Sequence, residues 1–300
     1  MLRERLPSTP RSASIHGMTY AGHIVSAIVA LSSWAATAAP EPDQLVTYKE
    51  VEGDDLKLHI FKPEGWSAGD ARPAIVFFFG GGWTGGHPRQ FYPHCEHLAD
   101  KGLLAVSAEY RTRKSHGTDP FKCVEDGKSA IRYLRSNATK LGIDPAKIVA
   151  AGGSAGGHVA ACTGTIDGFE VGDTEVSSKP RAMVLFNPVC DTSARGYGNK
   201  KIGERWREIS PRHNASKAAP PTCVFHGDAD TTVPIENAKG FKANLEKAGV
   251  RCELHVYPGA AHGFFNFGRG DGSAYTDTVA KMDQFLASLD LLGSKSPQGE

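Results

Sequence analysis

Charge of one sign is what this sequence most conspicuously lacks. Its 34 Lys and Arg against 33 Asp and Glu leave a net charge of +1 over 300 residues, and no basic cluster stands out, so the electrostatic footprint of a nucleic-acid-binding protein is missing. Six cysteines occur, Cys95, Cys123, Cys162, Cys190, Cys223 and Cys252, but none forms a CxxC pair, which removes the usual signatures of structural zinc and dithiol redox sites. No apolar run reaches the roughly 20 residues that span a bilayer, and no internal repeat is visible. What remains, with 40% hydrophobic and 22% charged residues, is an ordinary globular chain long enough to bury one large core.

The N-terminus stands apart. Arg3, Arg5 and Arg11 precede an apolar stretch from Ile24 to Leu31 that ends in Ala35-Ala36-Thr37-Ala38. That order predicts a secretory signal peptide over 1–38, a single domain over 39–300, and a secreted or periplasmic protein, with Met18 as an alternative start. In an exported chain an even cysteine count permits disulfides, while the wide spacings and the large core suit buried thiols. The sequence leaves both open.

Leu45–Glu52 and Leu56–Lys62 alternate apolar and polar residues and read as an antiparallel pair turning at Gly53-Asp54-Asp55. Further on, 74–79 (AIVFFF), 103–108, 148–151, 182–186 and 222–225 are short continuous apolar runs, as in strands covered on both faces. Segments of helical spacing lie between them: Gln90–Lys101, Cys123–Leu141, Ala155–Thr163, Ile235–Ala248 and Thr276–Leu289. The alternation predicts an α/β domain with an open, mostly parallel sheet. Residues 187–220 lack periodicity and are expected to form a small cap.

Two pentapeptides fit the Gly-x-Ser-x-Gly pattern of a serine nucleophile: GWSAG around Ser67 and GGSAG around Ser154. With 34 glycines in the chain, chance alone produces the pattern in about one such sequence in four. Context separates them. Ser67 lies between the end of one strand and the start of the next, with no room for a helix. Ser154 follows a buried strand and opens a small-residue helix, the strand–turn–helix context of a nucleophile elbow, and its neighbour Ala155 offers an amide at the positive end of a helix.

Acyl transfer also needs a base, an acid that orients it, and amides that hold the negative oxygen. His262, in a loop of small residues after the last strand, is the candidate base among 12 histidines. Asp228 and Asp230 both follow the strand ending near Phe225, and spacing alone does not choose between them. Gly80-Gly81-Gly82 follows the AIVFFF strand and presents amides without side chains in the way. His94, Cys95 and His97 share one helix, but two histidines and a cysteine there make a poor tetrahedral site, so neither metal nor cofactor is expected.

In their order and separation, FGGGW, GGSAGG, HGDAD and GAAHGFF resemble the α/β-hydrolases of the esterase and lipase group with an HGGG oxyanion loop, especially the bacterial acetyl-xylan and feruloyl esterase-like branch. The resemblance covers Tyr48 to Leu291. It implies an eight-stranded, mostly parallel sheet, a triad of Ser154, Asp230 and His262, amide donors at Gly81, Gly82 and Ala155, and an ester substrate, either a small molecule or an acylated plant polysaccharide. It favours Asp230 over Asp228. Trp83 is expected to line the acyl pocket. One departure is plain: Phe79 stands where the family has a histidine that anchors the loop. A prolyl-oligopeptidase-type peptidase and a non-catalytic binding protein of the same fold are the rival readings; no nucleic-acid or membrane partner is expected.

Overall fold

A computed structural model describes residues 39–172 and 174–292. The expected signal peptide over 1–38, the alternative start at Met18 and the polar tail beyond Leu292 lie outside the described residues. In chain order the strands are β1 (Gln44–Lys49), β2 (Leu56–Phe61), β3 (Arg72–Phe78), β4 (Leu104–Ala108), β5 (Ile143–Gly153), β6 (Ala182–Phe186), β7 (Thr222–Gly227) and β8 (Cys252–Tyr257). The helices are α1 (Tyr92–Asp100), α2 (Arg113–His116), α3 (Pro120–Ser136), α4 (Ala138–Leu141), α5 (Ala155–Thr165), α6 (Asn199–Ile202), α7 (Glu236–Lys247) and α8 (Ser273–Ala287). Among the described residues no helix is long and apolar enough to cross a membrane.

The eight strands form one sheet in the order β1-β2-β4-β3-β5-β6-β7-β8. β1 and β2 pair antiparallel and β2 joins β4 antiparallel, while every pair from β4 through β8 is parallel. The continuous apolar runs have the physical cause expected of them. In β3, Ala74, Val76 and Phe78 enter one core while Ile75 and Phe77 enter another on the opposite face, all of them fully buried. Because successive side chains point to opposite faces, a strand buried on both sides has no position left for a polar residue. Apolar residues of α3, α5 and α7 pack into the first core and those of α1 and α8 into the second.

The helical segment expected over Cys123–Leu141 is divided. Asp119 accepts hydrogen bonds from the N–H groups of Phe121 and Lys122 and Pro120 occupies the first turn, so α3 starts three residues earlier than apolar spacing alone suggests. At Asn137 the backbone leaves the helical region (φ −106°, ψ 20°) and its side-chain amide donates to Tyr133 O, which separates α3 from α4. The six cysteines are all buried free thiols, which settles the alternative the sequence left open.

The chain runs outward from β3 to β4 on one side and returns to β5 on the other, so the crevice between β3 and β5 is a topological switch point, where ligands bind in open α/β sheets. The residues that follow β3, β5, β6, β7 and β8 gather at that carboxyl edge.

Candidate active site

Ser154 sits between β5 and α5 with φ 55° and ψ −119°, a left-handed conformation that costs a non-glycine residue on the order of 1–3 kcal/mol. The surroundings enforce it. A Cβ on Gly156 would lie 2.0 Å from Phe78 O, and one on Gly152 would lie 2.6 Å from Gly156 O, so strand and helix meet too closely for any side chain at either position. The Ser154 N–H donates to Phe186 O at 2.9 Å and its carbonyl accepts from His158 N at 3.0 Å. The turn is thereby locked to β6 and to its own helix.

Two loops deliver the partners. His262 Nε2 lies 2.9 Å from Ser154 Oγ, and His262 Nδ1 lies 2.7 Å from Asp230 Oδ2. A carboxylate only accepts, so the proton facing it sits on Nδ1 and the Nε2 lone pair is left to receive the serine hydroxyl. The other oxygen, Asp230 Oδ1, accepts from the N–H groups of Thr232 and Val233 at 2.9 Å each. Burial pushes the Asp230 pKa up, but the bonds from His262 and from these amides outweigh it and hold the carboxyl below its ordinary value. Asp228, the alternative acid, turns away and accepts from Gly259 N at 2.6 Å. His226 donates Nε2–H to Val233 O at 2.9 Å and lies 3.5 Å from Asp230 Oδ2, which makes it a wall of the carboxylate's pocket.

The loop after β3 is fixed by contacts that the sequence did not disclose. Phe79 stacks on Tyr110 with ring centroids 4.3 Å apart, and the Tyr110 hydroxyl donates to Phe79 O at 2.6 Å. Gly80 N–H donates to Gln90 Oε1 at 2.6 Å, and Thr84 and Gly85 donate to Gly81 O at 3.0 and 3.3 Å. Gln90 Nε2 in turn donates to Asn266 Oδ1 at 2.9 Å, Asn266 Nδ2 to Gly263 O at 2.8 Å, and Gly263 N–H to Asn187 Oδ1 at 2.9 Å. A continuous chain of hydrogen bonds therefore ties the glycine loop to the histidine loop across the cleft. Among the hydrogen bonds of the described residues, none uses the N–H of Gly81, Gly82 or Ala155. These amides belong to residues bordering Ser154, where a developing oxyanion needs donors.

The cleft holds about 380 Å³ and is lined by the loop glycines, Ser154 and His262 together with Gln90, Asn187, Tyr197, Lys201, Phe265 and Asn266. Tyr197 and Lys201 come from the segment 187–220, which forms α6 and short 3-10 turns. Trp83 requires a correction: its indole is 2% exposed, packs against Tyr197 and donates Nε1–H to His158 Nδ1 at 3.2 Å, outside the cleft lining. Bulk decides this, since a buried indole is held where its N–H finds an acceptor, and His158, with its pKa lowered to about 4 by burial, is neutral and supplies one. Sequence reasoning missed Asn187, although it is the first residue past a parallel strand and so carries the same signal as Ser154. It missed Gln90 and Asn266 because only the folded chain brings them together.

No metal-ligand set faces the cleft among the described residues. Elsewhere, Cys223, Glu253 and His255 place one ligand atom each within 4.8 Å of one another, and His94, far from ligating anything, is buried against Phe77, Phe91, Phe186, Phe265 and Tyr275.

The chain is similar to known proteins over most of its described length. The family model BD-FAE matches residues 58–199 and that of the dienelactone hydrolase family matches 182–295. Esterase 2 of Thermogutta terrifontis with propionate bound is similar at 46% identity over 84% of this chain and 96% of that one, with a TM-score of 0.80. The same esterase phosphorylated by paraoxon gives 47% identity, the same coverage and a TM-score of 0.80. The probable carboxylic ester hydrolase LipM of Mycobacterium tuberculosis is 30% identical over 72% of this chain and 54% of its own length. The acetylxylan esterase of Xylanibacter ruminicola is 28% identical over 79% of this chain and 49% of its own. The chain thus spans about half the length of these two curated relatives. With eight strands in this order, a strained serine between β5 and α5, and matches of this extent, the chain belongs to the α/β-hydrolase esterase family.

Proposed function

We propose that the protein is a serine carboxylesterase that works through an acyl-enzyme. His262, oriented by Asp230, takes the Ser154 proton as Oγ attacks the ester carbonyl, and the N–H groups of Gly81, Gly82 and Ala155 receive the oxyanion. Collapse of the tetrahedral intermediate expels the alcohol, which takes the proton from His262. Water then gives a proton to the same imidazole, attacks the acyl group and releases the acid. The observation that carries this reading is the run of two hydrogen bonds, 2.9 Å from Ser154 to His262 and 2.7 Å from His262 to Asp230, beside three amides with no acceptor among the described residues.

The substrate reading rests on the cleft. Apart from the rings of Phe265 and Tyr197 its lining is glycine and polar side chains, and the volume is about 380 Å³, which favours short acyl groups over long aliphatic chains. Acetyl or feruloyl groups on plant polysaccharide, or small esters, fit that description, and the names of the acetylxylan esterase and of the propionate-bound esterase 2 support it. The leader-like residues 1–38 support a secreted or periplasmic location.

A panel of p-nitrophenyl esters from acetate to laurate, run beside acetylated xylan, methyl ferulate and an aminoacyl anilide, tests the reading together with a fluorophosphonate label. The expected result is turnover that peaks between acetate and butyrate, no anilide cleavage, and the label on Ser154. A protein that leaves Ser154 unlabelled and every ester intact is not this enzyme.

A further inference from the structure

The cleft has an asymmetry that ester chemistry alone does not use. Among the described residues no Asp or Glu lines it, whereas Lys201 does. The Lys201 ammonium donates to Gly82 O at 3.0 Å and to Thr84 Oγ1 at 3.3 Å, which accounts for two of its three N–H bonds. No carboxylate lies within ion-pair distance of it among the described residues, where its hydrogen bonds go only to the glycine loop and Thr84. Beside it stands the Tyr197 hydroxyl, which has no hydrogen-bond partner among the described residues. Trp83, itself pinned to His158, holds the Tyr197 ring at 5.7 Å between centroids. A Cβ placed on Gly82 would sit 3.0 Å from the Tyr197 hydroxyl and 3.1 Å from Lys201 Nζ. Both groups therefore converge on one point at the lip of the glycine loop, which lines the cleft together with Ser154.

We propose that Lys201 and Tyr197 form an anion subsite that selects esters carrying a carboxylate a few atoms from the scissile bond. The inference rests on the carboxylesterase reading and deepens it. An ammonium and a phenol side by side offer a carboxylate one charge-assisted and one neutral hydrogen bond, and a cleft free of carboxylates imposes no like-charge penalty on an anionic substrate. A carboxylate on the acyl side and one on the alcohol side present the same chemistry, so the test carries one arm for each.

The acyl arm compares monoethyl succinate with ethyl butyrate, followed by pH-stat titration. The alcohol arm compares 4-acetoxybenzoate with its methyl ester. In the arm that matches the subsite, Lys201→Met lowers the ratio of anionic to neutral kcat/KM about tenfold, with the loss carried by KM, and Tyr197→Phe lowers it about threefold. Raising the salt from about 50 to 500 mM lowers the ratio in the wild type but not in Lys201→Met, because the attraction is screened. Lys200→Met removes the same charge one position away, outside the lining, and leaves the ratio in place. An unchanged ratio for Lys201→Met in both arms overturns the proposal. So does an equal fall for anionic and neutral esters, the result expected if Lys201 only props the glycine loop. Failure of the wild type on all four esters, anionic and neutral alike, instead refutes the carboxylesterase reading itself.

Discussion

The turn at Gly65–Gly69 and the elbow at Gly152–Gly156 share a five-residue pattern and almost nothing else. In the first, Ser67 is exposed and its hydroxyl donates to Ala68 O at 3.3 Å, while Trp66 donates Nε1–H to Leu141 O at 2.9 Å. That glycine pair frees a surface turn to dock on the corner between α4 and β5. In the second, glycine is demanded by backbone atoms 2.0 to 2.6 Å from where a Cβ would be, and the serine between the glycines is held at φ 55° against a strand and a helix. The same letters thus describe a docking turn and a strained strand–helix elbow. What separates them is the layer of structure on either side, and the predictions below press on that difference.

The largest contrast is expected between the serines themselves. Ser154→Ala should reduce kcat by about a million-fold, since nucleophile and base act as a unit, while Ser67→Ala should leave ester turnover within about twofold of wild type. Initial rates on p-nitrophenyl acetate decide it, and comparable losses in the two variants would break the comparison. The carboxylates sharpen it next. Asp230→Asn should cost about ten-thousand-fold in kcat by spoiling the histidine tautomer, and Asp228→Asn only a few-fold, because Asp228 contacts Gly259 N rather than the imidazole. A third test concerns the support for the glycine loop. Gln90→Leu keeps the bulk but removes the bonds to Gly80 and Asn266, and a drop of about ten- to hundredfold in kcat with KM little changed is expected from amides displaced by a fraction of an ångström.

The smallest effect contrasts two histidines. His262 bridges Ser154 and Asp230 at the sheet edge, whereas His94 lies among aromatic rings with neither ring nitrogen hydrogen-bonded, and burial pulls its pKa down to about 3. In the unfolded chain a histidine takes a proton near pH 6.5. Between these values the unfolded state binds more protons, so this contribution to stability falls as pH drops, by about 1.4 kcal/mol per pH unit once below the unfolded pKa. His94→Phe should therefore flatten the decline of urea-unfolding stability between about pH 6 and 4. An unaltered slope would show that His94 is not buried neutral.

Much of this was legible because the relevant signals are local or ordered along the chain. Two-sided burial writes itself into AIVFFF as a continuous run, and the sequence of strand ends at Gly80, Ser154, Asp230 and His262 follows from the alternation of strands and helices. The helix break at Asn137 was hidden, because the apolar spacing of Val124, Ile131, Leu134, Ala138 and Leu141 runs through it without interruption. Hidden too was the inward turn of Trp83: an aromatic after a glycine loop reads equally well as a pocket wall or as a peg, and only His158, 75 residues away and offering its ring nitrogen, decides. Gln90 could not be assigned at all from position, since its worth lies in reaching Gly80 on one side and Asn266, 176 residues later, on the other.

Six sulfur atoms, each sealed inside and none joined to another, leave this scaffold without a covalent clasp. A reducing milieu therefore strips no cross-link from it. Its cohesion comes instead from the two apolar layers packed on either face of the sheet, which no reductant reaches.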